Sequence, residues 1–346
     1  MKEYLYSNEI VFRGHPDKVC DQIAATLLCE CLKKDENTRA GIEVVGGKGK
    51  IFITGEVTTK ADLSDEVVKN ITKKVLSDVG YDTNYEIINN IGLQSSDIAQ
   101  GVDVGGAGDQ GMMFGYAVTE TKEYLPIPII ILQKLSRKYD ELRKKDKRFL
   151  PDGKAQITGV YGEYQKLLKI KDFVISYQNT EEERDKTDEI IKNMAIEIVS
   201  EYGIEIENFH INPTGKFLIG GFEGDSGLTG RKIVVDTYHG FCKIGGGNLN
   251  GKDPTKVDFS GHIKARNLAV RFLKQVPEGH YCEVQLSYAI GLARPLAAYV
   301  LIDDKDYSYL ATDDIYEECK PANMIKDLDL VHFDYVNAAA FGFFQK

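Results

Sequence analysis

A glycine-rich stretch at residues 245–258 carries residue types that could bind a polyphosphate. Its three consecutive glycines, Gly245–Gly247, would let backbone N–H groups approach a ligand closely. Lys252 and Lys256 can hold phosphate charge, and Asp258 can carry a Mg²⁺ ion that bridges phosphate oxygens. The alternative is a solvated loop of mixed charge, but a triple glycine followed by alternating charges favours the anion site. The glycine spacing matches neither a Walker A loop nor a dinucleotide fingerprint.

A second set of polar residues lies where a helix is predicted to begin, at Pro16. The helix is indicated by an apolar stripe that recurs every fourth residue: Val19, Ile23, Leu27 and Cys31. His15, Asp17 and Lys18 therefore surround a helix N-terminus, where free N–H groups and the helix dipole favour anions. A binding site and simple helix capping are both consistent with this pattern.

The elements that must position these residues recur three times in the order strand, strand, helix. The strand pairs are predicted at 42–45 with 51–57, 155–161 with 172–177, and 282–289 with 296–302. The helices that follow are predicted at 64–79, 181–202 and 313–319. The order indicates an α+β protein of three similar units, each an antiparallel sheet with helices on one face. A further strand is predicted at 233–238, and the glycine-rich stretch 94–111 is either a linker or a mobile functional loop.

Composition narrows the class of protein. The 346 residues suit two or three domains, and 42% hydrophobic with 28% charged residues is typical of a soluble globular chain. A net charge of −10 argues against a general nucleic-acid binder. The six cysteines form no metal-ligand pattern and fit free thiols in a reducing cytosol. We expect no signal peptide, because residues 1–7 contain no apolar core, and no membrane span, because the longest clean apolar run covers only residues 127–132.

Several motifs together resemble the methionine adenosyltransferase (S-adenosylmethionine synthetase) family. They include Gly14-His-Pro-Asp-Lys18, the stretch 106–116, the glycine-rich stretch above, Asn212-Pro-Thr-Gly215 and Gly227-Leu-Thr-Gly-Arg-Lys232. They occur in the family's order and span about residues 7–342. The resemblance implies that methionine sulfur attacks C5′ of ATP, and that the displaced triphosphate is then hydrolysed to phosphate and pyrophosphate. It also implies Mg²⁺ and K⁺ as cofactors and a cytoplasmic homodimer or homotetramer with shared active sites.

The family's fold implies three α+β units about a pseudo-threefold axis. We place the N-terminal unit at 1–98, a mobile loop at 99–106, the central unit at 107–218 and the C-terminal unit at 219–346. These boundaries allow for strands that are exchanged between units. The loop would act as a lid that closes over the substrates.

The resemblance also implies the role of individual residues. Catalytic positions are matched by His15, Asp109, Lys154, Lys232, Lys252 and Lys256. Positions that bind ATP or substrate are matched by Glu9, Glu56, Gln94, Lys216, Phe217, Asp225 and Arg231. Two Mg²⁺ ions are expected at Asp17 and Asp258, and K⁺ at Glu43.

The chain departs from the family's usual pattern at several positions. Arg13 replaces an acidic residue, Lys216 replaces an Arg, and Asn248-Leu-Asn250 replaces Ala-Phe-Ser; His239 and Ile244 also differ, and the loop before Gly111 is shorter. These changes bear on substrate affinity rather than on the reaction type. Two other functions are considered: an ATP or triphosphate phosphohydrolase, against which Glu56 and Gln94 argue, and a non-catalytic partner subunit, against which the retained lysines and aspartates argue.

Overall fold

The computed structural model describes residues 3–93 and 105–344, which form twelve strands and ten α-helices in that part of the chain. The strands are β1 (Tyr4–Val11), β2 (Arg39–Gly47), β3 (Lys50–Thr58), β4 (Glu86–Gly92), β5 (Gly111–Val118), β6 (Phe149–Tyr161), β7 (Leu167–Asn179), β8 (Ile206–Ile211), β9 (Gly227–Leu228), β10 (Tyr281–Tyr288), β11 (Ala297–Ile302) and β12 (Lys305–Asp306). The helices are α1 (Pro16–Lys34), α2 (Asp65–Val79), α3 (Ile127–Lys145), α4 (Arg184–Ser200), α5 (Gly221–Gly224), α6 (Ile233–Asp236), α7 (Val257–Gln275), α8 (Asp313–Glu318), α9 (Pro321–Asp327) and α10 (Tyr335–Phe341).

The strands form three four-stranded sheets, in the orders β1-β6-β7-β8, β4-β3-β2-β9 and β12-β11-β10-β5. The predicted α+β class with three similar units is confirmed. Two sheets are mixed rather than wholly antiparallel, since β3 pairs with β4 and β7 with β8 in parallel. The reason is topological: β4 and β8 follow the helices α2 and α4, and a helical crossover returns the chain in a parallel direction.

Each sheet contains a strand from a distant part of the sequence. The N-terminal β1 pairs with β6, β5 pairs with β10, and β9 pairs with β2. This interlocking ties together the segments that carry the predicted site residues. The domain boundaries at residues 98, 106 and 218 stay a prediction, and most of the predicted lid, residues 99–104, lies outside the described residues.

Helix α1 begins and is buried as its sequence predicts. Pro16 is its first residue, His15 is its N-cap, and the stripe from Val19 to Cys31 is fully buried. The opposite face is buried as well, because α1 packs against β2, α2 and α10. The N-terminal end of α1 is therefore held rigidly within the protein.

The prediction of a strand at 233–238 is wrong, because this segment begins with the single helical turn α6 (Ile233–Asp236). Its Val-Val-rich sequence has the composition of a strand. The N–H of Asp236 instead donates to the carbonyl of Lys232, and the Asp236 carboxylate accepts from the buried ammonium of Lys18 at 2.6 Å. A tertiary ion pair thus outweighs the local strand preference.

No helix in the described part of the chain combines the length and the apolar character that a membrane crossing requires.

Candidate active site

The first cluster of predicted site residues lies at the N-terminus of α1. Asp17 is fully buried, and its carboxylate accepts from the N–H of Leu228 at 2.9 Å and from Nζ of Lys232 at 2.5 Å. Nε of Arg231 lies 3.5 Å from the same carboxylate. Strand β9 and the two cations that follow it are therefore fastened to the start of α1.

His15 caps this helix and carries its proton on Nε2. Its Nδ1 accepts from the N–H of Asp17 at 3.2 Å, so Nδ1 cannot hold the proton of the neutral ring. Burial and the positive charge of Lys232 lower the pKa of His15 to about 4, although Asp17 opposes the shift. At neutral pH the side chain is an uncharged donor beside a lysine.

Glu9 and Lys154 extend this cluster across two neighbouring strands. Glu9 on β1 and Lys154 on β6 are diagonal neighbours in the antiparallel register, and Nζ of Lys154 lies 2.6 Å from the Glu9 carboxylate. Both side chains are nearly half exposed. Lys154 and Asp225 are also close enough to His15 to shift its pKa, which places them in the same cluster.

Lys18, which the sequence grouped with His15 and Asp17, is part of a buried structural network. Its side chain is 1% exposed, and the ammonium group donates to Asp236, with the Asp21 carboxylate at 3.4 Å. Burial raises the pKa of Asp21 to about 7, against the opposing charge of Lys18. Asp21 also accepts from the N–H of Gly230 at 3.0 Å, so the network positions the segment that precedes Arg231.

A second cluster lines a cavity of about 390 Å³ between the β2–β3 hairpin and the glycine-rich stretch. The predicted site residues in its wall are Glu43, Glu56, Asp109, Lys252 and Lys256. Glu43 and Glu56 lie on the face of the hairpin that is turned away from the core, because residues of one strand alternate between faces. The cavity therefore brings together lysines and carboxylates from three distant parts of the sequence.

Lys252 forms an ion pair with Asp258, which lies in the first turn of α7. A Cβ atom on Gly247 would lie 2.1 Å from the Asp258 carboxyl carbon, so only glycine leaves room for this carboxylate. Gly251 has a φ of +73°, a left-handed conformation that glycine adopts without strain, and the next residue, Lys252, lines the cavity. The glycines of this stretch thus shape the site around its charged side chains.

Glu43 accepts two hydrogen bonds from side chains that the sequence did not assign to the site. The hydroxyl of buried Thr229 donates to Oε2, and the amide Nδ2 of Asn248 lies 3.4 and 3.3 Å from Oε1 and Oε2. Thr229 stands in the Gly-Leu-Thr-Gly motif, directly after β9. The position of Asn248 within a departure from the family's pattern was the only available signal.

Some predicted residues are not part of either cluster. The Lys216 side chain is 73% exposed and pairs with Glu181, while the carbonyl of Phe217 accepts from the N–H of Asn179, the last residue of β7. Gln94 lies outside the described residues. Arg13 is directed away from the site, since it donates to Gln22 at 2.7 Å and approaches Asp140 at 3.5 Å.

A larger cavity, about 610 Å³, lies elsewhere in the described part of the chain, and none of the predicted site residues lines it. Its wall is mainly apolar and includes the stacked rings of Tyr164 and His280, whose centroids are 3.6 Å apart. It lacks the paired lysines and carboxylates that a polyphosphate and its metal require. The smaller, charged cavity is therefore the better candidate for chemistry.

Three interlocked sheets bring lysines and carboxylates to two helix N-termini, an arrangement suited to binding a polyphosphate together with a metal ion. Comparison with known proteins identifies the family. Family models of the N-terminal, central and C-terminal domains of S-adenosylmethionine synthetase match residues 3–100, 104–217 and 219–346. The chain belongs to this family, whose members are methionine adenosyltransferases that form S-adenosylmethionine from ATP and L-methionine.

Curated relatives agree along nearly the whole chain. The S-adenosylmethionine synthase of Fusobacterium nucleatum is 39% identical over 99% of this chain and 93% of its own length. Those of Trichormus variabilis and Thermosynechococcus vestitus are 39% and 38% identical, again over 99% of this chain and over 92% and 93% of their own lengths.

Proposed function

We propose that this chain synthesises S-adenosylmethionine from ATP and L-methionine by attack of sulfur on C5′, and then hydrolyses the triphosphate to phosphate and pyrophosphate. One observation carries the proposal: two lysine–carboxylate pairs, Lys232–Asp17 and Lys252–Asp258, lie at the N-termini of α1 and α7. A triphosphate leaving group needs positive charge and metal ions at the place where its negative charge develops.

The residue roles are those that the family resemblance implies. Lys154, Lys232, Lys252 and Lys256 would hold the triphosphate, with Arg231 as an additional cation and Asp109 and Asp225 orienting them. Glu56, together with Gln94, would hold the amino acid, while Glu9, Lys216 and Phe217 would contact the nucleotide. His15 would donate to the departing O5′.

Family members use metal ions, and the donor set here fits two Mg²⁺ ions. Mg²⁺ prefers hard oxygen ligands and is usually held by one or two carboxylates plus substrate phosphates. Asp17 and Asp258 supply such carboxylates, each next to a lysine that could move to a phosphate. Among residues 3–93 and 105–344 no group of three His, Cys, Asp or Glu forms a cage of its own, which agrees with ions that bind together with substrate. When bound, the metal would neutralise the charge of the triphosphate.

A shared site between two copies of the chain would unite the two clusters. Four exposed apolar side chains, Ile88, Phe52, Val45 and Leu228, form a row across the four strands of the sheet β4-β3-β2-β9. This apolar row lies on the same face as Glu43 and the cavity, and such a patch is typical of a subunit interface. The family resemblance implies that residues of such a second copy would complete each active site. A homodimer or homotetramer with ATP and L-methionine as its ligands follows, and no nucleic acid is expected.

We also place the protein in the cytoplasm. All six cysteines, each within the described residues, are free thiols, and five of them are buried. Free thiols are stable in a reducing compartment.

The experiment that tests the function measures S-adenosylmethionine and pyrophosphate from purified protein supplied with ATP, methionine and Mg²⁺. Formation of both products is expected. Release of phosphate without S-adenosylmethionine would instead support the phosphohydrolase, and the absence of every product would support the non-catalytic subunit.

Mixing two inactive variants tests the shared site. Asp17→Asn and Asp258→Asn each remove a charge while keeping the shape, and each should abolish both reactions. If the site combines Asp17 of one copy with Asp258 of another, subunits mixed in equal amounts recover roughly a quarter of native activity, because half of the dimers are mixed and each has one intact site. A mixture without activity, although mixed dimers are present, would show that both aspartates act within one copy.

A further inference from the structure

The surroundings of Glu43 do not match a site for a monovalent cation. Nδ2 of Asn248 is almost equidistant from the two carboxylate oxygens, at 3.4 and 3.3 Å. This is the place that a cation held by both oxygens would take. A nitrogen with two hydrogens is a donor and cannot ligate a cation.

The orientation of the Asn248 amide is fixed by its other partners. Its Oδ1 accepts from the N–H of Asn250 at 2.9 Å, and its Nδ2 also donates to the carbonyl of Asn250 at 3.0 Å. A flipped amide would turn its oxygen towards the Glu43 carboxylate and its NH₂ group towards the Asn250 N–H. Both contacts would be repulsive, so the nitrogen faces Glu43.

The space for this side chain is built by a neighbouring glycine. A Cβ atom on Gly230 would lie 2.8 Å from the Cβ and Cγ atoms of Asn248, and Gly230 has a φ of +74°. The other partner of the carboxylate, the hydroxyl of Thr229, belongs to the residue directly before Gly230. Both carboxylate oxygens of Glu43 thus have a hydrogen-bond donor that the chain itself supplies.

We infer that the amide of Asn248 takes the place of the monovalent cation, so that this protein works without K⁺. The inference rests on the proposed function, because Glu43 lines the cavity that we assign to the substrates. It replaces the K⁺ expected from the family resemblance. The amide ties β2 to the glycine-rich stretch four residues before Lys252, which is the mechanical task that a cation between these segments would perform.

Two readouts on the purified protein test the inference. The melting temperature is measured in KCl and in tetramethylammonium chloride at matched ionic strength, and the rate of S-adenosylmethionine formation is compared in the same two salts. Native protein should give equal values in both salts, because a ligand that does not bind cannot stabilise the fold. The Asn248→Ala variant should gain a saturable, K⁺-specific rise in melting temperature and a rate that increases with K⁺.

Matched variants keep the test decisive. Asn248→Ser keeps an oxygen that can accept from Asn250 and serves if the alanine variant does not fold. Asn193→Ala, an exposed asparagine on α4, is the control and should behave like the native protein.

A K⁺-specific stabilisation of the native protein that disappears in Glu43→Gln would overturn the inference. Folded variants at position 248 whose melting temperature and rate do not change with K⁺ would also overturn it. The melting temperature can be measured without turnover, so it tests the inference even if the native protein forms no S-adenosylmethionine in either salt. A lack of S-adenosylmethionine in both salts would refute the proposed function and not this inference.

Discussion

Replacement of His15 separates the two reactions proposed for the site. As sulfur attacks C5′, negative charge develops on the departing O5′, and a donor aimed at that atom binds the transition state more tightly than the ground state. His15 is such a donor, because Nδ1 accepts from Asp17 and the proton is on Nε2. Hydrolysis of triphosphate develops no charge on O5′ and depends on the metals and lysines instead.

The magnitude follows from two separate losses. Removal of one preorganised donor typically costs about 2.7–4 kcal/mol, or roughly a hundred- to thousandfold in rate. Removal of the N-cap costs about 1 kcal/mol of stability. His15→Ala loses both, whereas His15→Ser keeps a capping oxygen and loses only the long donor.

Both variants should therefore lose S-adenosylmethionine formation to a similar extent, while hydrolysis of added triphosphate stays near the native rate. Only His15→Ala should show a lower melting temperature. The assays are product formation from ATP and methionine, phosphate release from triphosphate, and thermal unfolding. Equal losses in the two reactions, or full activity in His15→Ser, would refute the leaving-group role and leave His15 as a helix cap.

Two further predictions concern single residues. Gly247→Ala should reduce both reactions, because its Cβ atom would displace the Asp258 carboxylate. Gly246→Ala should leave both rates unchanged, because its Cβ atom would have no neighbour within 4 Å. Equal rates in the two variants would contradict this account. Burial lowers the pKa of His239 to about 3, so the unfolded chain binds more protons between pH 6.5 and 3, and stability is lost as pH falls through that window. His239→Asn, which tolerates the positive φ of 52°, should lessen the loss of unfolding free energy between pH 7 and pH 5 by about 2 kcal/mol, measured by urea unfolding. The same loss in variant and native protein would show that His239 is not the titrating group.

The sequence determined the local elements and the chemistry of the site. Pro16 and the four-residue stripe placed α1, and the left-handed Gly80 ends α2 where the sequence indicated. These signals act over a few residues, so a linear pattern contains them. The long motifs likewise indicated the family and the residues of its site.

Only the tertiary structure decided how these elements combine. The pairing of β9 with β2 brings the Thr229 hydroxyl to Glu43 and the Leu228 N–H to Asp17, although more than 180 residues separate the two members of each pair. Another long-range contact, the Lys18–Asp236 pair, accompanies the helical turn that replaces the predicted strand at 233–238. The same pair holds Lys18, which the sequence grouped with His15 and Asp17, in a buried structural network.

The role of Asn248 shows the limit of the sequence most clearly. The residue is visible as a departure from the family's pattern, but its type alone does not say what it contacts. Its position opposite both oxygens of Glu43 depends on the turn at Asn250, the space above Gly230 and the register of β2. Three separate parts of the chain must be folded together before the amide and the carboxylate meet, and no local pattern encodes that meeting.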